Sequence, residues 1–457
     1  MQIRLRGVFA AMASLGASTL AGVASAQEET AAVASLNSGD VAWILTSSAI
    51  VLMMTIPGLA LFYGGLVRSR NVLSILMQCF AAAAIISVTW VLWGYSLAFG
   101  TGGAWIGDLS KFALQGVGFA EPYGSYTIPE QAFMVFQLMF AIITPALVVG
   151  SFAERMKFTA FVLFLVLWST FIYSPLAHWV WGGGWLGTRG ALDFAGGTVV
   201  HLSSGISALV AAIMIGKRRG FGHDPMPPHN LPFTVVGAAL LWVGWFGFNA
   251  GSALAANGSA VVAFVNTNTA AAAAAVGWML TEWFGRGKPT ALGAATGAVA
   301  GLVAITPAAG FVTPMASIWI GLIAGFLCYT ACNLKSKFGY DDALDVVGVH
   351  GVGGTWGALA TGIFAAGAVG GKTGLLEGNA AQFFEQIVAV LATIVFCGIG
   401  TVIILSIVRA LTGLRVDAEA EQTGLDLALH SESAYTGLGG SGTAIGERSV
   451  HTTGESA

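Results

Sequence analysis

The sequence predicts an all-α integral membrane protein with eleven transmembrane helices, built as two inverted five-helix repeats and one extra helix. Three observations support this fold class. Of the 457 residues, 56% are hydrophobic and only 9% are charged, whereas soluble domains carry about 25% charged residues. Eleven apolar stretches are long enough to cross about 30 Å of hydrocarbon. Basic residues are concentrated in alternate loops, which is typical of a multi-pass membrane protein.

The first 26 residues have the pattern of a cleaved signal peptide. Arg4 and Arg6 precede an apolar run, residues 8–23, and Ala-Ser-Ala follows at 24–26. A charged start, a short apolar run and an A-x-A site define a secretory signal. The run is short for a membrane span. We therefore expect cleavage before Gln27 and a mature N-terminus outside the cytoplasm.

The predicted membrane domain covers residues 27–411. Glycine occurs at 63 positions of the chain, and small residues let neighbouring membrane helices approach closely. The eleven predicted spans cover approximately residues 41–63, 74–99, 131–151, 158–180, 196–216, 232–252, 260–283, 290–308, 315–333, 346–366 and 383–411.

The positions of the basic residues orient these spans. The loops of one side contain only Lys111, Arg189 and Lys372. Because basic loops stay on the cytoplasmic side, the other loops are predicted to be cytoplasmic, as is the C-terminal tail. The basic residues of those loops are Arg68, Arg70, Arg155, Lys157, Lys217, Arg218, Arg219, Arg286, Lys288, Lys335, Lys337, Arg409 and Arg415.

Eleven spans divide into five, five and one. Since five is odd, two successive five-helix units have opposite orientations in the membrane. Inverted repeats place substrate sites near the membrane midplane, where the two repeats meet. The string Ala-Leu-Asp occurs at 191–193 before the fifth span and again at 343–345 before the tenth. This echo supports a duplication, although the distance to the next histidine differs.

Two histidines, His201 and His350, lie in the fifth and tenth spans. An ionisable residue inside a membrane is costly and marks a candidate functional site. The predicted two-fold axis makes the positions equivalent, because His201 is nearer the outer end of its span and His350 nearer the inner end. The alternative is that each histidine is a packed polar residue that bonds across a helix interface.

Four segments resemble the ammonium transporter (Amt/Mep/Rh) family, and most closely its bacterial Amt branch. They are PGLALFYGG at 57–65, GALDFAGGTVVH at 190–201, WFGFNAGS at 245–252 and DVVGVHG at 345–351. The resemblance extends over roughly residues 40–435. It implies a transporter of ammonium and methylammonium in the bacterial inner membrane. It also implies a homotrimer with one pore in each subunit and no cofactor.

The resemblance also implies roles for single aromatic and hydroxyl residues. Trp181, Phe140 and Ser252 match an outer vestibule that recruits ammonium through aromatic faces and a hydroxyl group. Phe140 and Phe248 match two stacked rings that close the pore below the vestibule. The sequence shows no departure from the family at these positions.

Below the gate, His201 and His350 match the twin histidines of the family. Two neutral imidazoles can share one proton between them and still offer polar nitrogens to ammonia. Asp193 matches an aspartate near the recruitment site. We expect Asp193 to have a structural role, as a helix N-cap or a partner of nearby backbone amides, rather than a direct contact with the ion, and its negative charge also favours a cation nearby.

These assignments predict how ammonium is distinguished from potassium. A cation over an aromatic face gains roughly 0.5–2 kcal/mol, which concentrates ammonium in the vestibule. Burial disfavours the charged form, so ammonium is expected to lose a proton near the gate, and potassium has no neutral form. Whether the proton is co-transported by way of the histidines stays open.

Residues 412–457 form the predicted cytoplasmic regulatory tail. The segment from Gly413 to Tyr435 resembles the Amt tail that cooperates with PII-type signal proteins, although Asp417 stands where relatives have proline. Beyond Tyr435 the composition is typical of a disordered segment. A receptor that senses ammonium through the tail is the alternative function, but some 45 residues are few for a signalling domain.

Other functional classes have little support in the sequence. The membrane segments contain no nucleophile–base pair, metal cluster or cofactor loop, so we expect neither an enzyme nor a metal site. The net charge of −3 comes without a basic patch, which argues against nucleic-acid binding. Cys79, Cys328, Cys332 and Cys397 lie in apolar stretches without a CxxC pattern and are predicted to be buried apolar residues.

Overall fold

A computed structural model describes residues 35–435 of the chain. The predicted signal peptide, residues 1–26, and the end of the tail lie outside the described residues. Within residues 35–435 the backbone forms helices joined by turns and loops, with two isolated β-bridges, Pro122–Pro129 and Met156–Arg415. The all-α fold class is therefore confirmed.

Eleven helices of the membrane domain follow one another along the chain, and two short helices belong to the tail. Three small helical turns lie in the connections, at Phe112–Leu114, Gly367–Gly370 and Leu375–Glu377. The helices are α1 Ser38–Leu66, α2 Ser69–Phe99, α3 Glu130–Phe152, α4 158–180 with Trp185–Arg189 after a break, α5 Gly197–Ile215, α6 Leu231–Gly251, α7 Gly258–Arg286, α8 Ala291–Ile305, α9 Pro314–Phe338, α10 347–364, α11 Ala380–Thr412, α12 Ala418–Thr423 and α13 Leu425–His430.

Among the described residues, nine helices are long and apolar enough to cross a membrane, which makes the chain a multi-pass membrane protein. Helix α8 has 15 residues and is about 22 Å long, short of the roughly 30 Å of hydrocarbon. Helices α8 and α10 occupy the positions of the eighth and tenth predicted spans. The total of eleven spans stays a prediction.

Polar caps explain where many of these helices begin. An Asn or Thr side chain at the N-cap accepts a hydrogen bond from a backbone N–H of the first turn, which would otherwise have no partner. An apolar run follows each cap directly. The capping residues are Asn37 for α1, Asn230 for α6, Asn257 for α7, Thr290 for α8, Thr313 for α9 and Asn379 for α11.

Helix α3 lies at the centre of the membrane domain. In its most apolar window, 94% of the residues are buried, whereas α11 exposes Leu391, Val395 and Ile399 on one face. These α11 residues are spaced four apart and form a stripe on one side of the helix. Helix α11 therefore has a side suited to lipid, and α3 is enclosed by its neighbours.

Helices α5 and α10 cross in close contact because glycines meet at the crossing. A Cβ atom on Gly205 would lie 2.2 Å from the backbone nitrogen of Gly351. A Cβ atom on Gly354 would lie 2.8 Å from the nitrogen of Leu202. Small residues at such crossings let two backbones approach. The crossing brings the two histidine-bearing segments together.

Both histidines lie in a π-helical turn at the start of their helix. The turns cover Gly197–Leu202 in α5 and Val347–Val352 in α10. A π-helical turn widens the helix and is found most often at functional sites. The same irregularity in both helices is consistent with the duplication that the sequence predicts.

The glycine crossing predicts the effect of one methyl group. Gly205→Ala should lower the midpoint of thermal unfolding in detergent, because overpacking against a rigid backbone costs about 1–3 kcal/mol. Gly258→Ala is the matched control, since a Cβ atom there would meet nothing within 4 Å. Equal midpoints for the two variants would contradict a close crossing of α5 and α10.

Candidate functional site

Five side chains from five helical segments form a continuous column of rings. Their order is Trp181 after α4, Phe140 on α3, Phe248 on α6, His201 on α5 and His350 on α10. The successive ring centroids are 5.8, 4.3, 6.0 and 5.3 Å apart. The structure thus brings together the aromatic and histidine residues that the sequence selected.

The column runs beside three cavities. The first, which we call the aromatic cavity, has a volume of about 280 Å³ and contains Trp181, Phe140 and Ser252. The second, the histidine passage, has a volume of about 10 Å³ and is lined by Phe248, His201 and His350 among others. The third, the polar cavity, has a volume of about 190 Å³ and contains His350 at one end.

Phe140 and Phe248 separate the aromatic cavity from the histidine passage. Their ring centroids are 4.3 Å apart, and their planes meet at 41°. Both side chains are fully buried. Phe140 lines the aromatic cavity and Phe248 lines the histidine passage, so the two rings lie between these spaces.

The histidine passage is narrow and almost wholly apolar. A cavity must offer about 10–15 Å³ to hold one water molecule, and the passage offers about 10 Å³. Apart from the imidazoles and the indole of Trp245, its walls are aliphatic, phenyl or thioether groups from Met54, Leu59, Phe62, Ile143, Leu147, Leu241, Phe248 and Val299. It suits one small neutral molecule at a time.

Hydrogen bonds around His201 define which nitrogen carries the proton in a neutral ring. The Thr306 hydroxyl donates to the carbonyl of Leu302 over 2.8 Å and accepts from the Trp245 indole N–H over 2.9 Å. His201 Nε2 lies 3.3 Å from the same oxygen. Because the Thr306 proton is already donated, Nε2 of His201 is assigned as the N–H donor.

The same reasoning extends to His350. The Nδ1 atoms of His201 and His350 are 3.3 Å apart. With its proton on Nε2, a neutral His201 offers Nδ1 as an acceptor, so His350 donates through Nδ1–H. His350 Nε2 then carries a free lone pair. No carboxylate of the described residues makes a hydrogen bond or ion pair with either ring.

Asp193 forms the N-terminal cap of α5. Its two carboxylate oxygens accept backbone N–H groups of Gly196, Gly197, Thr198 and Val199 over 2.6–3.3 Å. Its own carbonyl accepts the Trp181 indole N–H over 2.9 Å. Asp193 therefore holds the start of the His201 helix and orients Trp181. Its carboxylate is used by the backbone, in agreement with the structural role that we predicted.

Asp342 plays the corresponding part at α10. Its carboxylate accepts the backbone N–H of Val347 over 2.8 Å, and it precedes His350 by the same eight positions that separate Asp193 from His201. Burial raises the pKa of Asp342 to about 6. The Ala-Leu-Asp echo had singled out Asp345 instead. Asp345 forms an ion pair with Lys335 over 2.6 Å.

A buried ion cluster ties the loops at one end of the bundle. Glu154 pairs with Arg68 over 2.8 Å and with Arg218 over 3.2 Å, and Arg218 also pairs with Asp341. Burial raises the pKa of Glu154, but the hydrogen bonds and charges of the two arginines outweigh this effect and leave that pKa below its ordinary value. Arg155 bonds to backbone carbonyls. These groups have structural roles.

Sequence reasoning missed three residues at the site. Thr306 and Trp245 orient His201, and Gln137 lines the aromatic cavity. Trp245 stands at the edge of a recognised family string, three positions before Phe248. Thr306 lies beyond the end of α8, where no local pattern marks it. Gln137 is one turn from Phe140, and an amide in an apolar helix was the available signal.

Comparison with known proteins places the chain among transporters. The profile of the Ammonium Transporter Family matches residues 42–435. An ammonium transporter of Bacillus subtilis is 56% identical over 400 residues, which cover 87% of this chain and 98% of the relative. An ammonium transporter of Aquifex aeolicus is 51% identical, with 89% and 95% covered.

Solved structures are similar over most of the chain as well. Saccharomyces cerevisiae Mep2 matches with a TM-score of 0.78 and 38% identity, covering 84% of this chain and 88% of Mep2. A chain described as a sensor Amt protein matches with a TM-score of 0.79 and 30% identity, covering 86% of this chain and 98% of its own.

The cap geometry makes a prediction about Asp193. Asp193→Ala leaves several buried N–H groups without an acceptor, at about 1–3 kcal/mol for each. The exposed cap Asp417 accepts one N–H, from Ala420, so Asp417→Ala should cost only about 1 kcal/mol. Denaturant unfolding in detergent and methylammonium uptake measure both. Normal uptake and normal stability of Asp193→Ala would contradict the capping role.

Proposed function

Because the chain belongs to the ammonium transporter family and is an ammonium transporter, we propose that it admits ammonium and conducts ammonia along the column of rings. The observation that carries this proposal is the change of environment along the column. An aromatic cavity large enough for an ion leads, past two stacked phenyl rings, to a narrow apolar passage that contains two imidazoles.

The proposed first step is capture of ammonium in the aromatic cavity. The faces of Trp181 and Phe140 attract a cation by about 0.5–2 kcal/mol each, depending on desolvation. The Ser252 hydroxyl donates to the Phe248 carbonyl over 2.9 Å, so its lone pairs are free to accept an N–H of ammonium. The Asp193 charge, close behind Trp181, adds a favourable field. Methylammonium can use the same contacts.

The proposed second step is loss of a proton at the pair Phe140–Phe248. An ion that enters the histidine passage loses its water and finds no anion there, and the cost of an unpaired buried ion is several kcal/mol or more. Ammonium avoids this cost by transferring one proton to water in the aromatic cavity before it enters the passage as ammonia. Potassium and sodium have no neutral form, so the same barrier rejects them.

Ammonia then passes the two histidines. The free lone pair on His350 Nε2 accepts one N–H of ammonia. The polar cavity beyond His350 contains Glu282 and Asp345, which favour ammonia that has regained a proton. The pair of imidazoles also offers a route for the proton, and electrogenic co-transport is part of this proposal.

The proposed setting is a bacterial inner membrane. Residues 1–26 act as the signal peptide, the mature N-terminus is outside, and the aromatic cavity faces outward. N-terminal sequencing of the mature protein should begin at Gln27.

We further propose a homotrimer with one pore in each subunit, which native mass measurement of the solubilised protein tests. A monomeric mass would contradict it.

We propose that residues 412–457 form a cytoplasmic regulatory tail that cooperates with a PII-type signal protein. Part of the tail is well attached to the membrane domain, because the Asp426 carboxylate accepts the N–H of Ser74 at the start of α2, and the Leu425 N–H donates to Asn71. Asn71 in turn donates to Glu154. Failure of a PII-type protein to bind the purified full-length transporter would contradict this regulation.

A sensor function is the second candidate, and the likeness to a sensor Amt protein favours it. One measurement distinguishes a pure sensor from a transporter that also signals. The transporter, purified and placed in liposomes, transports ammonium, whereas the pure sensor does not. The described part of the tail contains two six-residue helices and is much smaller than a domain of ordinary size.

The transport mechanism predicts a selective current. Wild-type protein in liposomes should give a current or uptake when ammonium is supplied. It should give neither above background when potassium is supplied. His201→Leu should lower ammonium flux about tenfold or more, because ammonia loses a hydrogen-bond partner worth about 1–3 kcal/mol in a dry passage. His223→Leu in an exposed loop is the matched control. Comparable potassium and ammonium flux in the wild type would contradict proton loss at the gate.

A further inference from the structure

Gln137 presents a buried acceptor to the aromatic cavity. It lies on α3, three positions before Phe140, and is 8% exposed. Its side chain lines the cavity together with Trp181 and Ser252. Its carbonyl oxygen Oε1 is buried and has no hydrogen-bond partner among the described residues. A buried polar group without a partner is costly, and in a native protein it calls for an explanation such as a ligand.

Two other polar groups of the cavity are already engaged. The Trp181 N–H donates to the Asp193 carbonyl, and the Ser252 O–H donates to the Phe248 carbonyl. Ser252 therefore offers oxygen lone pairs to the cavity, and Gln137 offers an amide whose oxygen has no partner among the described residues. Two neutral acceptors among aromatic faces suit a small cation that donates several hydrogen bonds, and they do not suit an anion.

We infer that Gln137 is a second hydrogen-bond acceptor for ammonium in the aromatic cavity, acting with Ser252 to replace water before the ion reaches Phe140 and Phe248. This inference rests on the proposed function. It assigns Gln137 a binding role and assigns it no part in proton transfer.

The chemistry of ammonium fits this arrangement. The ion has four N–H donors, of which two bond to the oxygens of Gln137 and Ser252 and the others face the rings of Trp181 and Phe140. A primary ammonium keeps three donors, so methylammonium uses the same two oxygens and turns its methyl group to a ring. Both cations should depend on Gln137.

A side-chain amide at position 137 is also compatible with a cavity that holds no ammonium. A half-turn about the last side-chain bond exchanges the oxygen and the NH₂ group at the same place. Water can bond to either group, whereas a cation selects the orientation with oxygen inward. A glutamate at this position would hold a cation more tightly, and a methionine would fill the same volume without an acceptor.

The experiment compares initial uptake of ammonium into liposomes for the wild type and three variants. Gln137→Met should raise KM about tenfold, the value expected for one hydrogen bond to a charged group, with the maximal rate within about twofold, because uniform binding affects KM alone. Gln137→Glu should lower KM. Gln131→Met is the matched control, because Gln131 is exposed in the first turn of α3 and does not line the aromatic cavity, and its KM should equal that of the wild type.

The outcomes separate this inference from the proposed function. If the wild type transports ammonium selectively and Gln137→Met keeps its KM, the inference is wrong and the transport mechanism stands. A lower maximal rate with unchanged KM would mean that Gln137 only packs the gate, and it also overturns the inference. If Gln137→Met does not fold, the KM of Gln137→Glu decides, since only a lowered value agrees with cation binding. Equal potassium flux in the wild type would instead defeat the proposed function.

Discussion

The contact between His201 and His350, with 3.3 Å between their Nδ1 atoms, is the interaction on which the rest of the structure depends. Two imidazoles can meet in the middle of a helical bundle only if their backbones come unusually close. Gly205, Gly351 and Gly354 allow that approach. A Cβ atom at Gly205 or at Gly354 would lie less than 3 Å from backbone atoms of the other helix. Asp193 and Asp342 then hold the starts of the two crossing helices. Much of the packing around α5 and α10 therefore serves one pair of rings.

The second constraint is the absence of a compensating charge where the passage is narrowest. The Asp193 carboxylate and one oxygen of Asp342 accept backbone N–H groups. The carboxylates of Glu154 and Asp341 are paired with arginines, and none of these four residues lines the passage. A cation beside His201 would thus be desolvated and unpaired, which costs several kcal/mol. In the proposed mechanism, the site attracts a cation where aromatic faces and oxygen acceptors line a wide cavity, and it admits only a neutral molecule where the walls close in. Selectivity then follows from that sequence of environments without a filter for ion size.

The sequence predicted the class of fold, the order of the spans and the column of rings. Hydropathy and the basic loops predict the class of fold and the order of the spans, because both signals depend on the hydrophobicity and charge of single residues. The residues of the column came from the family resemblance, because the 28 phenylalanines of the chain give no periodic signal that separates Phe140 and Phe248 from core residues. Thr306 and Gln137 were missed for a related reason, since their roles depend on contacts between segments far apart in the chain. The Ala-Leu-Asp echo places Asp345 opposite Asp193, whereas the residue that caps α10 is Asp342, which precedes its histidine by the same eight positions as Asp193.

The central claim is that His201 and His350 form a neutral pair that shares one proton. Nitrogen-15 NMR of the histidine-labelled protein in lipid discs at neutral pH tests it directly, because protonated and unprotonated ring nitrogens have well-separated shifts. The account predicts two neutral rings, with protonated Nε2 on His201, protonated Nδ1 on His350, and a coupling between the two Nδ1 atoms. A ring with both nitrogens protonated, in either residue, would contradict it.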